Sequence, residues 1–291
     1  MEALLFLGCT VPVRNLNYEL SARQVAGVLG VELRDLPELG CCGFPLKGWD
    51  YQSALLVAAR ALAQAGDTGL DLVPLCSACA GHLAEAAHHL DHDDKARREV
   101  NSSLAQQGLE YRPGVRVRHF VRYLLEEVGL EAIRDKVVRP LEGFSFAPHY
   151  GCHYLKPSEV LGGFDDPEDP VSLARLIEAS GAKVVDYATL KDCCGGGVLG
   201  TDEDLAGRMA GGKLQELAGL ELTALALVCP FCNVMFEGQQ KTIAKKLETK
   251  FKVPVVYLTQ VLGLALGLEP DQLGFKLNRV KPKDLIKAFK K

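Results

Sequence analysis

The hydrophobic positions of the chain repeat one order of strands and helices twice. Apolar runs predict strands over residues 3–9, 31–36, 70–75 and 115–120, and again over 144–152, 183–187, 223–228 and 253–258. Helical spacing predicts helices over residues 18–29, 51–65, 78–90 and 121–128, and again over 171–179, 202–218, 233–249 and 259–267. This alternation predicts an α/β fold with parallel sheets and helices on both faces.

The cysteines follow the same repeat. The first set, called here the first quintet, consists of Cys9, Cys41, Cys42, Cys76 and Cys79. The second quintet consists of Cys152, Cys193, Cys194, Cys229 and Cys232. Each set holds one cysteine, an adjacent pair followed by glycine, and a C-x-x-C motif. The intervening segments have 31 and 33 residues in the first set and 40 and 34 in the second.

The shared layout indicates an internal duplication into two Rossmann-like halves. We expect an N-terminal cysteine-rich domain over residues 1–139 and a C-terminal one over 140–268, followed by a basic tail over 269–291. The tail either docks a partner or stays solvated. In open parallel sheets, binding sites lie beyond the carboxyl ends of the strands. Since the cysteines follow predicted strands, each quintet is expected to converge at one edge of its own sheet.

Composition narrows the functional classes. The 291 residues are 48% hydrophobic and 24% charged, which is typical of a globular protein, and the net charge of -4 gives no reason to expect nucleic acid. No apolar run reaches the ~20 residues of a membrane span. The run from Met1 to Cys9 lacks the basic start of an export signal and is predicted as a buried strand. A cytoplasmic location is therefore expected, and there patterned cysteines bind metal or do redox work more often than they form disulfides.

The adjacent cysteines favour a metal cluster with several metal atoms. Neighbouring cysteines do not easily bond to each other or share one small ion. A four-cysteine zinc site or a cubane cluster would leave one thiol of each quintet unused. Five disulfides and zinc in at least one half remain the alternatives, while five thiolates in each half favour an iron–sulfur cluster of less usual shape.

The two patterns, C-x31-C-C-G-x32-C-x2-C and C-x40-C-C-G-x33-C-x2-C, resemble the duplicated cysteine-rich CCG domain. A chain of this size resembles the catalytic B subunit of heterodisulfide reductases over roughly residues 3–268. The resemblance implies that each quintet binds a noncubane [4Fe-4S] cluster and that a disulfide such as CoM-S-S-CoB is reduced between the two clusters. On this interpretation the cysteines are ligands, and no side chain acts as a nucleophile.

The resemblance also implies partners. These are a C subunit with cubane iron–sulfur clusters and an A subunit with a flavin, so that the chain acts as an oxidoreductase on a sulfur group within a larger complex. The alternative is an electron-transfer subunit of a related oxidoreductase complex that never meets a disulfide. A zinc-stabilised binding protein is the third hypothesis.

Other polar residues carry weaker signals. His149 and His153 flank Cys152. One hypothesis is that either histidine donates protons to the product thiolates. The alternative is that both form local hydrogen bonds. Lys156 and Lys191 attract an acidic substrate or lie exposed on the surface. The run of histidine and aspartate over residues 88–94 resembles a metal site by composition, but a solvated helix end is the favoured interpretation.

Overall fold

A computed structural model describes residues 1–290. Its elements in the first half are β1 Glu2–Phe6, α1 Val11–Arg14, α2 Leu16–Leu29, β2 Glu32–Arg34, α3 Tyr51–Gly66, β3 Leu72–Pro74, α4 Ser77–His92, α5 Asp94–Leu104, α6 Phe120–Tyr123 and α7 Leu130–Asp135. Those in the second half are β4 Ser145–His149, α8 Cys152–Leu155, α9 Ser172–Ala179, β5 Lys183–Val184, α10 Glu203–Ala218, β6 Ala224–Leu227, α11 Pro230–Asn233, α12 Gln240–Lys246, β7 Val255–Tyr257, α13 Leu258–Ala265 and α14 Lys283–Phe289.

Two parallel sheets, one in each half, form the core. The first has the order β2-β1-β3 and the second the order β5-β4-β6-β7. In both, the first strand of the half lies in the interior of the sheet and its buried positions are mostly apolar. Its carboxyl end points to the same edge as those of its neighbours. The predicted α/β class with two parallel, duplicated sheets is confirmed.

The duplication extends to the helix starts. Asp50 begins α3 by accepting a hydrogen bond from the backbone N–H of Ser53 at 3.0 Å, and Asp202 begins α10 by accepting from Leu205 at 2.8 Å. Each aspartate stands eight residues after the second cysteine of its adjacent pair. Such caps satisfy backbone donors that the first helical turn leaves free. The two halves thus place equivalent helices against equivalent cysteine turns.

Aromatic packing joins the halves. Tyr18 on α2 stacks on Tyr257 at the end of β7, with ring centroids 3.9 Å apart and planes 9° from parallel. The Tyr18 hydroxyl donates to the Val228 carbonyl at 3.1 Å, and the His119 Nε2–H donates to the same oxygen at 3.0 Å. Residues of the first half therefore fix the strand end that leads into Cys229.

Three local predictions differ from the structure. The expected strand over 115–120 is reduced to a single bridge between Val117 and Leu72, where Arg116 and Arg118 both bind Asp71.

The helix expected over 233–249 is interrupted by a wider turn at 234–238. The Glu237 carboxylate in that turn accepts the backbone N–H of Arg279 at 2.8 Å, which ties the turn to the C-terminal segment.

The third difference is that the C-terminal segment is not a solvated tail in the part that the structure describes. Leu273, Phe275 and Leu285 are buried in the common core. The Asn278 side chain donates to the Val255 carbonyl at 2.8 Å and accepts from Gln260 at 2.9 Å, so that the segment is hydrogen-bonded to the second sheet. The division at residues 139, 140 and 268 stays a prediction, with this segment packed on the second half.

Truncation of a buried leucine in the C-terminal segment tests this packing. Leu273 is fully buried against Gly263, whereas Leu277 in the same segment is 51% exposed. We expect Leu273→Ala to lower the free energy of unfolding by about 2–5 kcal/mol, because it removes buried methyl groups and leaves a cavity. Leu277→Ala is the matched control and should cost less than about 0.5 kcal/mol in urea denaturation. Equal costs would contradict the packed segment.

Candidate metal centres

The two quintets lie at the carboxyl edges of their sheets and meet at the boundary between the halves. Cys9 and Cys152 follow β1 and β4, and Cys76 and Cys229 follow β3 and β6 as the residues before α4 and α11. Cys76 and Cys229 have extended backbones, with φ of -110° and -133°. The predicted convergence at the sheet edges is therefore observed for both sets.

The ten thiols form one continuous chain of neighbours. The Sγ atoms of Cys9 and Cys41 are 3.9 Å apart, and interactions between neighbouring thiols continue through Cys42 and Cys79 to Cys76. The Cys76 thiol in turn contacts Cys229 in the other half. From there the contacts run through Cys232, Cys194 and Cys193 to Cys152. All ten cysteines are free thiols, so the five disulfides of the alternative interpretation are not formed.

Interactions between neighbouring thiols shift their pKa values in opposite directions. The pKa of Cys42 is lowered to about 4 by its interactions with Cys41 and Cys79. The pKa of Cys193 is lowered to about 2 by Cys152 and Cys194, and that of Cys229 is also lowered by Cys232 and Cys76. Each half therefore already stabilises anionic sulfur, which is the form that binds metal.

Backbone amides and glycines surround the sulfurs. The N–H groups of Gly43 and Gly195 approach Cys41 Sγ and Cys193 Sγ at 3.4 Å. Both glycines are left-handed, with φ of 89° and 78°, and a Cβ on either would lie within 2.8 Å of a helix carbonyl oxygen. The Cys-Cys-Gly turn therefore needs glycine for its conformation and its close approach to the following helix. N–H donation to sulfur is also a property of iron–sulfur sites.

A cavity lies within the second quintet. It holds about 440 Å³ of empty space and is lined by all five of its cysteines. Phe44, Ser77 and Ala78 of the first half complete its wall. Ser77 is 1% exposed, and its hydroxyl has no hydrogen-bond partner within residues 1–290. Such an orphaned donor among thiols fits a bound group that carries acceptor atoms, such as an iron–sulfur cluster.

Within residues 1–290, no three histidine, cysteine, aspartate or glutamate side chains converge as the ligands of a single metal ion. The five thiols of each quintet instead form a series in which each sulfur neighbours the next. The clustered cysteines and their amide donors fit iron–sulfur binding.

A second, more open cavity adjoins the first. It holds about 900 Å³ of empty space, shares Cys152 and His153 with the inner cavity, and is lined by Glu85, Lys156 and Glu168. The inner cavity is mainly apolar apart from sulfur, while the outer one includes charged side chains in its lining and is more open to solvent.

The histidines near Cys152 have local roles. His153 Nδ1 lies 3.2 Å from Cys152 Sγ, and the ring packs edge-on against Phe44 with centroids 4.8 Å apart. His149 is buried, and its Nε2 lies 3.3 Å from Cys232 Sγ. Burial lowers the pKa of both rings. Both residues thus contact a cysteine sulfur of the second quintet.

Two of the remaining polar signals also have local explanations. Lys156 and Lys191 both pair with the exposed Glu168, at 3.3 and 3.1 Å. The run over residues 88–94 is the junction of α4 and α5, where Asp93 accepts the N–H groups of Lys95 and Ala96. It is a helix end, as favoured from the sequence.

Sequence reasoning missed four residues of the site: Phe44, Ser77, Phe231 and Lys213. Phe44, Ser77 and Phe231 stand directly beside the cysteine motifs, so their position was the available signal. Lys213 gave no such signal, because it lies in the middle of α10, far from any cysteine in sequence. It reaches the site only because α10 packs against the second sheet.

Comparisons with known proteins agree with this geometry. Residues 3–84 and 146–237 both match the CCG family, described as a cysteine-rich domain. The chain is 36% identical over 281 residues to the B subunit of the ferredoxin:CoB-CoM heterodisulfide reductase of Methanosarcina mazei, covering 95% of this chain and 93% of that protein. It is 33% identical to a protein of Archaeoglobus profundus that is described as like the heterodisulfide reductase B subunit, covering 92% of each.

Two further similarities are informative. The 8-methylmenaquinol:fumarate reductase membrane anchor subunit of Wolinella succinogenes is 32% identical, over 95% of this chain and 96% of that protein. A hypothetical protein from Helicobacter pylori has the same fold with a TM-score of 0.77 at 17% identity, where 96% of this chain spans 52% of that one. In the described residues, 1–290, we find no helix with the length and apolarity of a membrane span.

The fold and the site define a protein of two duplicated cysteine-rich domains whose thiols meet at one boundary. The chain belongs to the CCG cysteine-rich domain family, among the heterodisulfide reductase B subunits and their relatives.

The glycine run of the second half offers a matched test of the cysteine turn. In Gly195→Ala, the new Cβ would lie 2.8 Å from the Ala206 carbonyl oxygen, at a residue with φ of 78°. We expect a loss of about 2 kcal/mol or more of stability in chemical denaturation. Gly197→Ala is the control, since a Cβ there has nothing within 4 Å. The proposed role of Gly195 would be refuted by equal stability of the two variants.

Proposed function

We propose that the chain is the catalytic B-type subunit of a heterodisulfide reductase or a similar complex, and that it reduces a disulfide between two noncubane [4Fe-4S] clusters. The observation that carries this proposal is the continuous chain of ten thiols, joined across the halves by Cys76 and Cys229. Two redox centres so close together suit a reaction that needs two electrons at one bond. The names of the relatives, as heterodisulfide reductase B subunits, support the same activity.

The ligand assignment follows the two quintets. Cys9, Cys41, Cys42, Cys76 and Cys79 would hold one cluster, and Cys152, Cys193, Cys194, Cys229 and Cys232 the other. Five thiolates in each half exceed the four that a cubane uses. The pKa of Cys42, Cys193 and Cys229 is lowered, which favours the thiolate form that binds metal.

The clusters would supply the two electrons, one from each. The overall reaction is R–S–S–R′ + 2 e⁻ + 2 H⁺ → RSH + R′SH, with electrons from a partner subunit. Phe44 and Phe231 line the inner cavity that the second cluster would occupy, and the Ser77 hydroxyl is free to donate to sulfur within it. The outer cavity leads to His153 and admits the polar part of the substrate.

An electron-transfer subunit without disulfide chemistry is the second candidate. The similarity to the fumarate reductase subunit of Wolinella succinogenes favours it, because that relative is named for a different reaction. The outer cavity distinguishes the two candidates, since an electron-transfer subunit needs no space beside its clusters for a substrate.

The proposed partners are a C subunit with cubane iron–sulfur clusters and an A subunit with a flavin. They would deliver the electrons, because the chain has no nucleotide-binding glycine motif after its first strand. We propose a cytoplasmic location, since ten free thiols in a fixed pattern suit a reducing compartment.

Metal analysis of anaerobically purified protein tests the cofactor. We expect about eight irons and matching acid-labile sulfide per chain, if each half holds four. Cys42→Ala and Cys194→Ala should each remove the spectroscopic signal of one half and leave the other. Zinc without sulfide would contradict the proposal, as would loss of both centres or neither in each single variant.

Disulfide addition tests the reaction. With the complex poised so that a centre is paramagnetic, a disulfide substrate that binds beside it should change the paramagnetic signal, because a new sulfur would alter its surroundings. A thioether of the same size, which has no S–S bond, is the control. Absence of any change with a series of disulfides, in a complex that still passes electrons, would favour the electron-transfer role.

A further inference from the structure

The duplicated halves differ at one pair of buried positions beneath the cysteines. Three residues before its first cysteine, the first half has Phe6 and the second half has His149. Eleven residues after its capping aspartate, the first half has Ala61 on α3 and the second half has Lys213 on α10. At these two positions the first half therefore has apolar side chains, whereas the second half has side chains that contain nitrogen.

Hydrogen bonds connect this pair to a cysteine of the second quintet. Lys213 Nζ lies 3.2 Å from His149 Nδ1 and donates to the Leu190 carbonyl at 3.0 Å. His149 Nε2 lies 3.3 Å from Cys232 Sγ. An ammonium group has donors and no acceptor, so His149 Nδ1 must accept and the ring proton must sit on Nε2. The chain of hydrogen bonds therefore points one N–H at the Cys232 sulfur.

No carboxylate forms a direct ion pair with Lys213 in the described residues, although the charges of Asp192 and Glu216 act on it from farther away. The side chain is 1% exposed. Tyr187 and Phe236 present their ring faces to the ammonium at 5.2 and 5.9 Å. Burial lowers the pKa of Lys213 to about 8, while Cys232 and Asp192 oppose the shift. A buried unpaired cation is costly unless an anionic group lies nearby.

We propose that Lys213 is a positioning residue that, through His149 and Cys232, makes the second-half centre easier to reduce than the first-half centre. The inference rests on the proposed iron–sulfur centres and deepens them. Adding an electron makes a cluster more negative, and a nearby cation and an N–H donor to a ligand sulfur both stabilise that state. Phe6 and Ala61 provide neither to the first-half centre. The two centres therefore accept electrons in a fixed order.

An anaerobic redox titration of the assembled complex, followed by paramagnetic resonance, tests this order. The second-half centre is identified by the signal that disappears in Cys194→Ala. In Lys213→Met we expect its reduction equilibrium constant to fall at least tenfold, a shift of about 59 mV for one electron. The first-half centre should keep its midpoint. Lys241→Met, at an exposed position on α12 of the same half, is the control and should move neither midpoint.

The double variant His149→Phe with Lys213→Ala provides an independent check. It gives the second half the residues of the first half, so the two midpoints should approach each other. Equal movement of both midpoints, or no movement of the second, would overturn the inference, as would loss of iron from the second half in both variants. Because no disulfide is present in the titration, a failure of the proposed reaction would leave these midpoints unaffected and would be detected separately.

Discussion

The contact between the Cys76 and Cys229 thiols is the constraint on which the site depends. Each cysteine ends the strand of its own sheet and precedes a helix, so its position is set by backbone geometry rather than by a flexible side chain. The contact exists only because the two sheets present their carboxyl edges to each other. Tyr18 and His119 hold this arrangement by donating to the carbonyl of Val228, the residue before Cys229. The packing between the halves therefore also sets the positions of the sulfurs relative to one another.

Duplication supplied two equivalent sets of ligands, and later differences between the halves made the sets unequal. The Cys-Cys-Gly turns, the aspartate caps and the backbone donors to sulfur are shared. The buried Lys213 and His149 are confined to the second half, and Ser77 has proline as its counterpart in the first turn after Cys229. Two similar halves with different side chains around their cysteines suit a site at which two electrons arrive one at a time.

The sequence predicted the part of this structure that repeats. Two parallel sheets and the convergence of ten cysteines followed from periodicity and spacing, because strand ends in such sheets share one edge. The strand at 115–120 was wrong because Arg116 and Arg118 bind Asp71, a long-range contact that local alternation does not encode. Lys213 was invisible for a similar reason: a lysine within a helix is ordinarily exposed, and only the packing of α10 buries this one. The basic composition of the C-terminal segment also gave no sign that Leu273, Phe275 and Leu285 are buried in the core.

The central claim is that each quintet encloses its own group of irons and that the two groups adjoin at Cys76 and Cys229. Anomalous diffraction at the iron absorption edge, on anaerobically grown crystals, tests it most directly. The account predicts two separate groups of iron peaks, one bounded by each set of five sulfurs, with the Cys76 and Cys229 sulfurs between them. A single peak in either half, or iron bound away from either quintet, would contradict it.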